Sequence, residues 1–233
     1  KTLCRTTMDY MMFCDQDDVW KSNKIAITLK RIRHMEAQIG KNIPLAVFTD
    51  ASVVDKNLKE LYHSFFCSNH LNPLKTDLSH LLMENKLIGC TVMVNVALRN
   101  VLQSNRLPEK AKYHDWWIAL IAASFGKIGF VNESTLLYRQ HSSNVVGGAD
   151  FFSYFKNRIA SLKDQREAVL ILERQAEEFL ALYGDQLIQE KKDIILNFAN
   201  LHQARFIKRR CLLLHNGYLK SGLIRNIGLF IIV

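Results

Sequence analysis

Three carboxylates, Asp15, Asp17 and Asp18, stand in four positions directly after the apolar run YMMFC of residues 10–14. Carboxylates this close repel one another, a cost that a bound cation offsets. Side chains one residue apart on an extended chain point the same way, so Asp15 and Asp17 can converge on one ion, with Asp18 adjacent. Such hard oxygen donors suit Mg2+ or Mn2+, with phosphate oxygens completing the shell. The plain alternative is a solvated acidic turn that caps the next helix. A further carboxylate, Asp115, begins the segment HDWWIALIAASFG beside Trp116 and Trp117. Aromatic neighbours desolvate a carboxylate and raise its pKa, which suits a general base. Its plain alternative is an N-cap, the usual task of Asp at a helix start. Of the two tryptophans, one reads as core and the other as a wall of an acceptor site.

The elements that would position these groups follow from periodicity. Residues 10–14 read as a short buried strand that delivers the acidic cluster to a sheet edge, where open α/β folds bind ligands. Residues 20–39 read as a helix with Ile25, Leu29 and Ile32 on one face, stopping at Gly40. PLAVFTD, LIGCTVMVN, KIGFVN and TLLYRQ read as further strands, and residues 114–126 as a helix stopped by Gly126. From residue 151 the texture is helical: Val169, Leu172, Ala176, Phe179 and Tyr183 mark one face, broken at Gly184-Asp185. The expectation is an α/β unit over residues 1–148, a mixed sheet flanked by helices, and a helical extension over 149–233.

The chain has 233 residues, 48% of them hydrophobic, which suffices for one sizeable core. Its five cysteines are scattered without a CxxC pair, against a disulfide framework or a structural zinc site. A cytoplasmic location is expected, since no apolar run reaches the roughly 18 residues of a spanning helix. The net charge is +9, and no acidic residue follows Asp193, whereas Arg205, Lys208, Arg209, Arg210, Lys220 and Arg225 do. That tail suggests peripheral contact with the anionic inner face of a membrane; no nucleic-acid-binding motif is recognisable, so nucleic acid is not an expected partner. A helix packed on the core with a solvated basic face is the plain reading of the same tail.

Two chemistries fit the acidic cluster. One is a phosphatase of haloacid-dehalogenase type with Asp15 as nucleophile. The other is sugar transfer by a GT-A glycosyltransferase, whose DxD motif holds a divalent ion against a diphosphate. A non-catalytic fragment or interaction module is the third class. Asp115 favours the second, because a phosphatase wants an acidic pair late in the chain.

Together, DYMMFCDQDDVWKSNKI, FTDASVVDKNL, LIGCTVMVNVAL, HDWWIALIAASFGKI and LLYRQHSSNVVGG resemble, in order and spacing, family 2 glycosyltransferases of the rhamnosyltransferase-like kind. The resemblance covers about residues 9 to 148. It implies a partial GT-A, Rossmann-like domain and an inverting, metal-dependent transfer of a sugar such as rhamnose. The donor would be a nucleotide-diphosphate sugar (dTDP-rhamnose or a UDP-sugar). The acceptor would be a glycan or lipid-linked glycan of a bacterial surface polysaccharide. It places Asp15 and Asp17 at the metal and diphosphate, Asp115 as catalytic base, and Asp50 near the donor sugar. It places Gly89 and Cys90 on the acceptor side, and Arg139 and His141 at the diphosphate. His114 stands where the family usually has an acidic residue. The family's preceding strands, which hold the base and ribose, have no counterpart here, so weak or absent activity is expected of the chain alone.

Overall fold

The structure, a computed structural model, describes residues 8–140 and 162–233. Its centre is a mixed sheet of six strands: β1 (Tyr10–Met12), β2 (Val19–Trp20), β3 (Leu45–Val54), β4 (Glu60–Tyr62), β5 (Met93–Asn95) and β6 (Lys127–Arg139). The order is β1-β5-β3-β6-β2, with β4 pairing β3 off this path. Only β3 and β6 run parallel; the other pairs are antiparallel. The helices are α1 (Lys24–Ile39), α2 (Phe65–Ser68), α3 (Leu78–Met83), α4 (Val96–Gln103), α5 (His114–Phe125), α6 (Leu162–Tyr183), α7 (Gln189–Ala199), α8 (Phe206–His215) and α9 (Leu223–Ile232). An α/β part and a helical C-terminal part are therefore both present.

Strand β3 is buried along its whole length, so its sequence LAVFTDASVV opens on a continuous apolar run rather than an alternation. Its partner β6 is one strand where the sequence suggests two. The register against β3 slips between Thr49 and Ser52, which lets one long strand absorb the irregularity. The polar residues at the slip satisfy each other: the Thr49 and Thr135 hydroxyls lie 2.7 Å apart and those of Ser52 and Ser134 2.8 Å.

Helix α1 stops at Gly40 as expected, and that glycine takes φ 104°, where a side chain is strained. Its start differs. Residues 19–20 pair as β2, and the buried face carries Lys24, Thr28, Ile32 and Met35 while Ile25 is exposed. LIGCTVMVN is also corrected: Gly89–Thr91 form a 3-10 turn, and only Met93–Asn95 are strand. The Thr91 hydroxyl donates to the Ile88 carbonyl at 2.8 Å and closes that turn. Asn95 ends β5, caps α4 by accepting from Leu98 N–H at 3.1 Å, and accepts from Leu45 N–H at 3.0 Å.

Helix α5 ends at Gly126, where the chain passes Pro44 so closely that an added Cβ would lie 1.7 Å from the Pro44 carbonyl oxygen. Lys127 N–H then donates to that same oxygen at 3.1 Å, starting β6 in register beside β3. The expected face of α6 is all buried, and Gly184–Gln186 form the expected break. Trp117 of α5 packs against Phe179 and Tyr183 of α6, with ring centroids 5.2 and 6.3 Å apart, so the helical part shares a core with the sheet helices. The expected boundary at residue 148 lies outside the described residues.

Candidate active site

Strand β1 stops at Met12, and the acidic cluster follows as a loop with a turn at Gln16-Asp17. A turn brings its first and fourth residues together, whereas only an extended chain makes neighbours of residues one apart. Asp15 and Asp18 therefore converge. With the Cys90 thiol they form a group whose ligand atoms all lie within 4.8 Å of one another. The sequence reading paired Asp15 with Asp17; Asp17 stands at the turn itself, and its carbonyl accepts from Arg139 Nε at 2.9 Å.

Asp18 accepts from the backbone N–H of Arg139 at 3.0 Å through Oδ1, while its buried Oδ2 has no hydrogen-bond partner. Burial pushes the Asp18 carboxyl up, aided by the charges of Asp17 and Asp15 and opposed by the Arg139 N–H and Cys90. Cys90 is 1% exposed, and burial together with Asp18 holds its thiol protonated. An orphaned carboxylate oxygen beside a second carboxylate could hold a divalent cation, with the protonated Cys90 thiol at the border of the pair.

Sequence reasoning missed Lys24. It is 0% exposed, its Nζ has no hydrogen-bond partner, and it lies 5.1 Å from the Trp20 ring centroid. Burial lowers its pKa, while Cys90, Asp18 and Cys14 oppose that. The signal was present: Lys24 shares the spacing i, i+4, i+8 with Thr28 and Ile32 on the buried face. Tyr138 was missed too; its hydroxyl pKa is pushed up to about 12 by burial, Cys90 and the acidic loop.

The turn at Gly89–Thr91 joins this cluster to Asp115. Cys90 faces the acidic loop, and its neighbour Gly89 donates its N–H to Asp115 Oδ2 at 3.1 Å. A Cβ on residue 89 would stand 2.8 Å from His114 Nε2, so glycine lets the turn approach α5 this closely. Asp115 Oδ1 accepts from Trp116 N–H at 2.7 Å. It sits in the first turn of α5 without being its cap, a position held by Tyr113. Burial lifts the Asp115 carboxyl, opposed by His114 and by the hydrogen bonds from Trp116, Gly89 and Asn85. Phe13, from the loop before the carboxylates, packs on the His114 ring at 4.7 Å between centroids.

Other predicted residues are braced. Asp50 is 6% exposed and accepts from Ala51 N–H at 2.7 Å, Phe65 N–H at 3.1 Å and the Ser64 hydroxyl at 2.5 Å. Those bonds fix the start of α2 to the middle of β3. Arg139 Nη1 donates to the Lys56 carbonyl at 2.6 Å, so its guanidinium ties the acidic turn to the loop after β3. Trp116 and Trp117 are both buried, and Trp116 Nε1 donates to the Leu81 carbonyl at 2.5 Å. The exposed ring at this helix start is Tyr113, stacked on Trp116. His141 lies outside the described residues.

The arrangement is that of an α/β protein with an acidic loop, whose Asp15 and Asp18 could hold a cation, and a desolvated carboxylate on either side of one turn. No protein-family model matches the chain. It is distantly similar to the dTDP-rhamnosyl transferase RfbG of Shigella flexneri, 21% identical over 165 residues, or 67% of this chain and 52% of that protein. The chain spans about half the length of the curated relative it matches.

Proposed function

We propose that the chain is part of a GT-A-type, family 2 glycosyltransferase that moves a sugar such as rhamnose from a nucleotide-diphosphate donor to a glycan acceptor. The observation that carries this reading is the Gly89–Thr91 turn, which puts a cation-ready cluster of Asp15, Asp18 and Cys90 beside the lifted carboxylate of Asp115. The distant similarity to a dTDP-rhamnosyl transferase supports it.

On this reading Asp15 and Asp18 would hold Mg2+ or Mn2+, with Asp17 adding negative charge from the turn. The ion would neutralise a leaving diphosphate. Asp115 takes the proton of the acceptor hydroxyl as that oxygen attacks the anomeric carbon from the face opposite the leaving group. Its two backbone N–H donors fix the carboxylate's orientation, and burial raises its basicity. Arg139 adds positive charge behind the acidic turn while holding its shape. The acceptor is a surface polysaccharide in the making, free or lipid-linked.

The test is Asp115→Asn in a protein that transfers sugar. Transfer should fall by about 10^2 to 10^4, the usual worth of a general base, with metal-dependent donor binding retained. Lost donor binding would contradict the base assignment. A phosphoaspartate trapped on Asp15 would instead establish a phosphatase.

A further inference from the structure

Helices α8 and α9 bury one face, through Leu213, Leu229 and Ile232, and leave much of the rest of their apolar surface exposed. Phe206, Ile207 and Leu214 of α8 are 67%, 74% and 63% exposed, and Leu223, Ile227 and Ile231 of α9 are 78%, 53% and 60% exposed. On each helix these residues recur at helical spacing and form an outward stripe: Ile207 and Leu214 are seven apart, and Leu223, Ile227 and Ile231 four apart. The helices are tied together where α8 begins and α9 ends. Arg209 Nη1 donates to the Val233 carbonyl at 3.0 Å, and Arg210 Nη2 to the Phe230 carbonyl at 2.7 Å. Phe206 and Ile207 therefore share one end of the pair with Ile231.

The charges that the tail itself carries have one sign. Arg205 and Lys208 are exposed, Arg210 lies over the Phe206 ring at 3.4 Å, and no acidic residue follows Asp193. Exposed apolar stripes on a soluble surface call for an occupant. A second copy docking through the same face would bring two surfaces of the same basic charge together, because a two-fold interface pairs a surface with itself. A surface that accepts apolar side chains to shallow depth and attracts lysine and arginine is an anionic bilayer.

We propose that the α8–α9 pair is a peripheral docking surface for anionic lipid bilayers. Phe206, Ile207, Leu223, Ile227 and Ile231 enter the headgroup boundary, and Arg205 and Lys208 meet lipid phosphates. The whole chain then sits with this corner on the membrane. The proposal does not depend on sugar transfer and is tested without it.

The test is flotation of the 233-residue chain with vesicles of phosphatidylglycerol and phosphatidylcholine, against vesicles of phosphatidylcholine alone. The chain should float with the anionic vesicles and release as salt rises. Ile207→Ser with Leu223→Ser, and separately Arg205→Glu with Lys208→Glu, should each weaken partitioning at least about tenfold. These positions are exposed, so thermal melts of both variants should match the parent. Failure of the parent chain to float overturns the proposal, and so does flotation that neither double substitution reduces. A dimer in light scattering that Ile207→Ser with Leu223→Ser converts to monomer would also overturn it, assigning the face to a second copy.

Discussion

Asp115 and Asp18 are both lifted by burial, and they are placed for opposite tasks. Asp115 is oriented by two N–H donors, which suits the proposed base, whereas Asp18 keeps one buried oxygen without a partner and faces Asp15 and Cys90. Asp18→Asn should therefore weaken Mn2+ binding by tenfold or more, and Asp17→Asn by less, as read by calorimetry. Equal losses would return Asp17 to the ion. The pH dependence of Asp115 has a definite sign. Its folded pKa is raised, so the folded state keeps the proton to higher pH than the unfolded chain, whose Asp titrates near ~3.9. Ionising it costs stability as pH rises from there through the folded value. Relative to the parent, Asp115→Asn should gain melting temperature as pH rises above about 4 and gain none below. A difference independent of pH would contradict the assignment. The carboxylates themselves were legible in the sequence, because clustered Asp after an apolar run is a local pattern. The choice of Asp18 over Asp17 was not, since it depends on a turn at residues 16–17. The burial of Lys24 was legible in its i, i+4, i+8 spacing with Thr28 and Ile32, but lysine as a residue type argues for the surface.

At the scale of elements, close backbone approaches decide the register. Gly126 ends α5 and lies against Pro44, so Gly126→Ala forces two backbones apart where β3 and β6 first pair. It should destabilise the chain by at least about 1–3 kcal/mol, the usual penalty for overpacking, in denaturant titrations. A change under ~0.5 kcal/mol would mean that the junction yields freely. The helix stops at Gly40 and Gly126 and the buried stripe of α6 could be read from residue types alone, because capping and amphipathic spacing are local. The single strand β6 could not. Its polar middle, Asn132 to Thr135, resembles a turn, and only the pairing of Ser134 and Thr135 with Ser52 and Thr49 makes it strand. The 3-10 turn at Gly89 was equally hidden inside an apolar run, although it is the element that joins the two carboxylate sites.

Across the whole molecule, the C-terminal helices are latched to the α/β part by a buried charge network. Lys86 is 1% exposed, pairs with Glu84 and donates to the Ser221 hydroxyl at 2.7 Å, while Arg225 Nη1 donates to Glu84 Oε1 at 2.9 Å. Burial favours the neutral form of Glu84, but the Lys86 charge and the hydrogen bonds to it outweigh that and lower its pKa. Glu84 therefore adds stability above the unfolded value near ~4.3, and that stability is lost as pH falls through the depressed folded value. Glu84→Gln leaves Lys86 buried beside a neutral partner and should cost about 3–5 kcal/mol near neutral pH, less in acid. A flat pH profile in the variant's stability difference would contradict the latch. The proposed sugar transfer draws on the acidic loop and Asp115 together. The most direct check is calorimetry of the chain with Mn2+ and a panel of sugar nucleotides, dTDP-rhamnose among them. The account predicts Mn2+ uptake that Asp15→Asn with Asp18→Asn abolishes, and diphosphate binding that requires the ion. Donor binding independent of Mn2+, or Mn2+ uptake unchanged by the double substitution, would contradict it.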